Sequence, residues 1–83
     1  MDFNFELYKQ MIADLEGRFE QTEDILLKMK MIADIAFLYS EITMEMWKQT
    51  GSDDYAKISS QLTELHNVCY MYCIKNARSG GSI

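Results

Sequence analysis

The chain has no proline, and its glycines stand only at positions 17, 51, 80 and 81. Without proline nothing removes a backbone donor from the interior, so helices end only where side chains or a glycine end them. Strand-type alternation of apolar and polar residues is absent as well, which makes the reading all-α. Cysteine is scarce: Cys69 and Cys73 are the only two. Four residues apart on one helix, they are badly placed for a mutual disulfide, and a disulfide scaffold is excluded. His66 is the single histidine. Di-iron bundles need Glu-x-x-His, and the residue three before His66 is Thr63, so the Glu41 and Glu45 pair reads as a solvated helix face rather than a metal centre. No nucleophile has a histidine base and an orienting group in any recognisable spacing, and the expectation is a non-enzymatic protein.

Basic charge is also in short supply. Lys and Arg total 8 against 13 Asp and Glu, for a net charge of −5. Residues 1–24 hold seven of the carboxylates against only Lys9 and Arg18, while the rest of the chain is balanced. Direct nucleic-acid binding is therefore not expected, because phosphate contacts need a basic surface. A basic protein partner is electrostatically favoured. Met1-Asp2-Phe3-Asn4 lacks the positive start of a signal peptide. Ile25 to Trp47 is long enough to span a bilayer but carries Lys28, Lys30, Asp34, Glu41 and Glu45. Each such charge costs about 2.5–3.5 kcal/mol at a bilayer centre, so no membrane helix is expected. The expectation is a cytoplasmic chain with reduced thiols.

What the sequence has in abundance is apolar side chains: 48% of 83 residues, seven of them methionine. One short domain does not readily bury that much, and a second chain is the simplest cover. The expected architecture is a helical hairpin of two antiparallel helices that oligomerises into a bundle, as a dimer or a tetramer. A single domain over 1–78 contains a first helix at about 4–49, a turn at 50–53 and a second helix at about 53–77. Residues 79–83 are expected to form a flexible tail.

Asn4 suits an N-cap. From Tyr8 through Ile12, Leu15, Phe19, Thr22, Leu26, Met29, Ala33, Ala36, Ser40 and Thr43 to Trp47, a stripe alternates by 4 and 3 without a stutter. This favours one long helix. The competing reading is a break between Gly17 and Asp24, with Thr22 as a new N-cap. A second stripe follows Ile25, Ile32, Ile35, Tyr39, Ile42 and Met46, and two seams on one helix suit a four-helix arrangement. Leu27, Met31 and Leu38 offer a third contact or an exposed partner-binding surface. Gly51 suits a helix end and Ser52 the next cap, with Asp53 and Asp54 complementing the new dipole. On the second helix, Tyr55, Ile58, Leu62, Leu65, Cys69, Tyr72 and Asn76 form the seam expected to pack on the first.

Three groups are candidate sites. Asp14, Glu16, Glu20, Glu23 and Asp24 form an acidic partner-binding face, with Phe3, Phe5, Tyr8 and Phe19 as apolar anchors. Ile32, Ala33, Ile35, Ala36, Tyr39, Ile42, Trp47, Tyr70 and Tyr72 are assigned to the oligomer interface. His66, Cys69 and Cys73 lie at i, i+3 and i+7, and their side chains are zinc-ligand types. Zinc cysteines usually sit on loops, however, and cysteine is a common small core residue, so core packing is the stronger reading. No metal or cofactor is assigned. The expected function is that of a small acidic regulator, such as a phage-type antirepressor or other anti-defence inhibitor, that binds a basic DNA-binding protein. The alternative is an assembly or chaperone-like subunit that holds a partner helix on apolar surface.

Overall fold

The computed structural model describes the backbone of residues 3–81, with side chains through position 76. It contains three helices: α1 (Phe5–Gln21), α2 (Ile25–Thr50) and α3 (Asp53–Gly81). No strand is present among the described residues. The single first helix expected at 4–49 is corrected to two. Thr22 is extended (φ −92°, ψ 132°) and ends α1, its hydroxyl bonded to the Arg18 carbonyl. Asp24, not Thr22, caps α2: its carboxylate accepts from the amides of Leu26 at 2.9 Å and Leu27 at 3.2 Å. Asp competes for local backbone donors in this way more strongly than it supports a helix interior. The stripe runs unbroken through the corner because a periodic pattern records which residues are apolar, not where the backbone turns.

The other boundaries follow from local chemistry. The Asn4 side chain accepts from the Leu7 amide at 3.0 Å. Gly51 adopts the left-handed conformation (φ 72°) that closes α2, its amide bonded to the Trp47 carbonyl at 2.7 Å. Only glycine takes this conformation at no steric cost. The tail expected from residue 79 is corrected too, since α3 continues through Gly81; once a helix is nucleated, each added residue gains a backbone bond. Ser82 and Ile83 lie outside the described residues.

α2 is the centre, and α3 returns antiparallel along it. Three bonds mark one register: Cys73 Sγ to the Leu26 carbonyl, His66 Nδ1 to the Ala33 carbonyl, and Ser59 Oγ to the Ser40 carbonyl. Each step of two turns up α2 is answered by two turns down α3. Ala33, Ala36 and Ser40 are buried beneath this seam, and their small side chains admit α3 closely. The seam expected on α3 is corrected by a rotation. Leu62 and Cys69 do face α2, but their companions are Ser59, His66 and Cys73, while Ile58, Leu65 and Tyr72 are exposed. Polar groups won these positions because each finds a backbone carbonyl to bond.

α1 lies antiparallel on another face of α2. Tyr8 reaches Glu41, and the Lys28 ammonium sits 4.8 Å above the Phe19 ring. Ile12 and Met31 are buried between the two helices, so the third contact expected at Met31 and Leu38 is α1 itself. No Cα of α1 comes within 8 Å of one of α3 among the described residues. The result is an open arrangement with α2 in the middle, not a closed three-helix bundle.

Candidate functional site

Two surfaces stand out, one between α1 and α2 and one on the α2–α3 hairpin. The first is a hollow of about 260 Å³ lined by Glu16, Phe19, Glu20, Ile32 and Ile35. Its floor is apolar and its α1 rim is acidic. Glu16, Glu20 and Glu23 are exposed and form no ion pair among the described residues. The five acidic residues grouped by sequence do not share one face, which corrects that grouping. Asp14 and Glu16 are about 200° apart around α1, and Asp14 bonds Arg18 at 2.8 Å. Asp24 is committed to capping α2.

The aromatic anchors divide similarly. Phe3, Phe5 and Tyr8 cluster at the start of α1, with the Phe3 ring 4.8 Å from Phe5 and 4.5 Å from Tyr8. The Tyr8 hydroxyl donates to the Glu41 carboxylate. That hydrogen bond, reinforced by burial and by the carboxylate's charge, holds the phenol above its ordinary value. These three rings are used within the chain, as a latch for α1. Phe19 is the anchor that lines the hollow.

The second surface is the open side of the α2–α3 hairpin. Ile25, Ile32 and Tyr39 lie about 100° back around α2 from the seam residues Leu26, Ala33 and Ser40. Ile58, Leu65 and Tyr72 lie about 100° back around α3 from Ser59, His66 and Cys73. Because the helices are antiparallel, both backward flanks fall on the same side. Phe37 and Tyr70 occupy the opposite flank, where their ring centroids lie 5.3 and 5.7 Å from His66. The open side thus carries three apolar layers: Ile25 with Tyr72, Ile32 with Leu65, and Tyr39 with Ile58. Ile25 is 67% exposed and Tyr72 46%. Val68 and Met71, both 62% exposed, carry the patch around α3.

The nine residues assigned to the oligomer interface therefore separate. Ala33 and Ala36 are corrected to the intrachain core, where they are 0% and 3% exposed. Tyr70 lies on the opposite flank against His66. Ile35 lines the acidic hollow, and Ile32 joins that hollow to the open face. Ile42 is half-buried, Trp47 stands exposed near the end of α2, and Tyr39 and Tyr72 belong to the open face. Ile58 and Leu65, assigned by sequence to the seam with α2, are surface residues instead, and Val68 is a surface residue that the sequence pattern did not single out. Ile58, Leu65 and Tyr72 recur every seven residues with Val68 between the last two, and the same three positions also fit the seam stripe, so periodicity alone did not separate the two faces.

His66, Cys69 and Cys73 serve packing. His66 Nδ1 meets the Ala33 carbonyl at 2.7 Å, and since a carbonyl only accepts, that nitrogen carries the hydrogen. Burial, with the neighbouring Cys73, pushes the Cys69 thiol up, which keeps it protonated and a poor ligand. Among the described residues no group of three such side chains is placed to hold a metal ion. No helix among them is long and apolar enough to cross a membrane. Compared with known proteins, the chain matches no family, no curated sequence and no solved structure.

Proposed function

We propose that the chain is a small acidic regulator without enzymatic activity, which binds a basic protein through the rim of the α1–α2 hollow and associates with itself through the open face of the hairpin. The observation that carries the partner reading is the pair of exposed carboxylates without a salt bridge among the described residues, Glu16 and Glu20, which line the hollow beside an apolar floor of Phe19, Ile32 and Ile35, with Glu23 exposed just past the end of α1. A lysine or arginine side chain laid there meets charge at its head and apolar surface along its stem. A DNA-binding protein offers such side chains on the surface it uses for phosphate, so occupying them would block DNA, in the manner of an antirepressor or anti-defence inhibitor. Reversing Glu16, Glu20 and Glu23 to lysine is expected to abolish capture of a basic DNA-binding partner, measured by calorimetry, with the circular dichroism unchanged. Undiminished affinity would sink the reading.

Self-association rests on area. Ile25, Tyr39, Ile58, Leu65, Val68, Met71 and Tyr72 are each 42% to 67% exposed. At about 200 Å² for a large exposed residue, they leave roughly 700 Å², close to the ~800 Å² that one partner brings to a standard interface. The same face supports a second reading, in which an assembly subunit holds a foreign amphipathic helix there. Salt separates the two: capture by the acidic rim weakens steeply as salt rises, and capture by the apolar face does not.

A further inference from the structure

We propose that a second copy seated on the open face also closes the α1–α2 hollow, so that only the single chain can receive a basic partner. This rests on the reading in which the hollow takes a basic side chain and the open face takes a second copy.

Three consecutive residues of α2 set the geometry. Met31 is buried against α1, and Ala33 is buried against α3. At about 100° per residue these two point in nearly opposite directions, about 160° apart. Ile32 stands between them and points out of the layer that the three helices form. It lines the hollow with Phe19 and Ile35, and it pairs with Leu65 in the middle layer of the open face. Lys30, Asp34, Glu41 and Glu45 fall on the reverse side of α2, roughly opposite Ile32. The layer thus has one apolar side and one charged side. The hollow and the open face both look out from the apolar one.

Size decides whether one occupant covers both. Packed helix axes lie about 8–10 Å apart. The open face is centred between α2 and α3 and the hollow lies between α1 and α2, so their centres are about one such spacing apart. A footprint of roughly 700 Å² drawn as a disc has a radius of about 15 Å. The chain itself measures 49 × 23 × 21 Å. A body of that size centred on the open face overhangs the hollow whichever way it is turned.

A second copy and a basic partner therefore compete for Ile32 and its surroundings. The apparent affinity for the partner scales with the unpaired fraction of the chain, falling about tenfold when roughly one chain in ten is single. Linkage runs both ways, and a bound partner draws chains out of the pair. Each copy carries a net charge of −5, so repulsion opposes pairing at low ionic strength and added salt relieves it. The same salt screens Glu16 and Glu20 from a basic partner. Salt acts twice against capture, once at the rim and once by closing it.

The experiment reads the hollow by maleimide alkylation of a single thiol, over a range of chain concentrations. Two chains are compared, both with Cys69→Ala and Cys73→Ala. One carries Glu16→Cys at the hollow, and the other carries Ser60→Cys. Ser60 is exposed and lies about 100° forward around α3 from Ser59, on the flank away from the open face. Circular dichroism checks that both fold, and sedimentation velocity gives the paired fraction at each concentration. Alkylation at position 16 is expected to slow in proportion to the unpaired fraction, about tenfold where about one chain in ten is single, and to slow further with salt. Alkylation at position 60 keeps its rate. Leu65→Glu alters the open face but not the lining of the hollow, and it restores the fast rate at position 16. Tyr39→Glu, in the adjoining layer, reaches the same result by a second route. Pairing in sedimentation with position 16 still fast, or equal slowing at both positions, overturns the proposal while self-association stands. A chain that stays single at every concentration overturns both. The partner reading fails separately, in the charge reversal of Glu16, Glu20 and Glu23.

Discussion

Ser59 is a polar side chain sealed into the α2–α3 seam, 2% exposed, its hydroxyl 2.9 Å from the Ser40 carbonyl. That carbonyl also accepts from Thr43, so removing the serine hydroxyl leaves no orphan. Ser59→Ala is expected to cost only about 1 kcal/mol, the net worth of one hydrogen bond. Ser59→Leu must force its extra carbons into the sealed seam at Ser40 and should cost more, about 1–3 kcal/mol from overpacking; urea denaturation compares the two. Tyr8 gives a pH dependence. Its phenol is held above the ordinary value in the folded chain by Glu41, by burial and by the carboxylate's charge. The folded state therefore keeps its proton where the unfolded state loses it. This stabilisation is fully present below the unfolded value of about 10 and fades as pH rises through the folded one. Docking of α1 is expected to weaken in that alkaline window, and Tyr8→Phe to remove this component, as followed by amide exchange across α1. Such residues were the least legible in the sequence. Serine and histidine at 59 and 66 do not announce a core, because what buries them is a carbonyl on another helix, which no periodicity records.

At the scale of the element, two glycines make opposite predictions. Gly51 sits at φ 72° with open space around it, so Gly51→Ala pays for backbone conformation alone, about 1–2 kcal/mol. Gly17 lies inside α1, and a methyl group there would meet nothing within 4 Å. Gly17→Ala is expected to gain about 0.4–1 kcal/mol, most of it from the unfolded chain. Thermal melts of both variants check the signs. The cap at Asn4 and the stop at Gly51 were readable because a capping side chain and a left-handed glycine act on their immediate neighbours. The corner at Thr22 to Asp24 was readable only as a rival to continuity. A helix there is chemically acceptable, and what decides is the docking of α1 back onto Met31 and Glu41, contacts distant in sequence.

At the scale of the molecule, the open hairpin face predicts the outcome of charge insertion. Tyr39→Glu and Leu65→Glu place a carboxylate in adjoining layers, both at sites more than 40% exposed in the single chain. The fold should survive, while light scattering should report loss of association through that face, since a buried unpaired charge is costly. The all-α class and the hairpin were legible from composition and from Gly51. The open shape was not, because it depends on which face of α2 each neighbour takes. That shape has a further consequence. No Cα of α1 lies within 8 Å of one of α3 among the described residues, so the protection of one helix contributes little directly to the other. The chain is built as two units of unequal cohesion on a common helix, and amide exchange should show two tiers, with α1 opening well below the free energy of global unfolding. Proteolytic nicking should begin at the exposed Glu23 and Asp24, at a rate set by how often α1 lifts rather than by how often the protein unfolds.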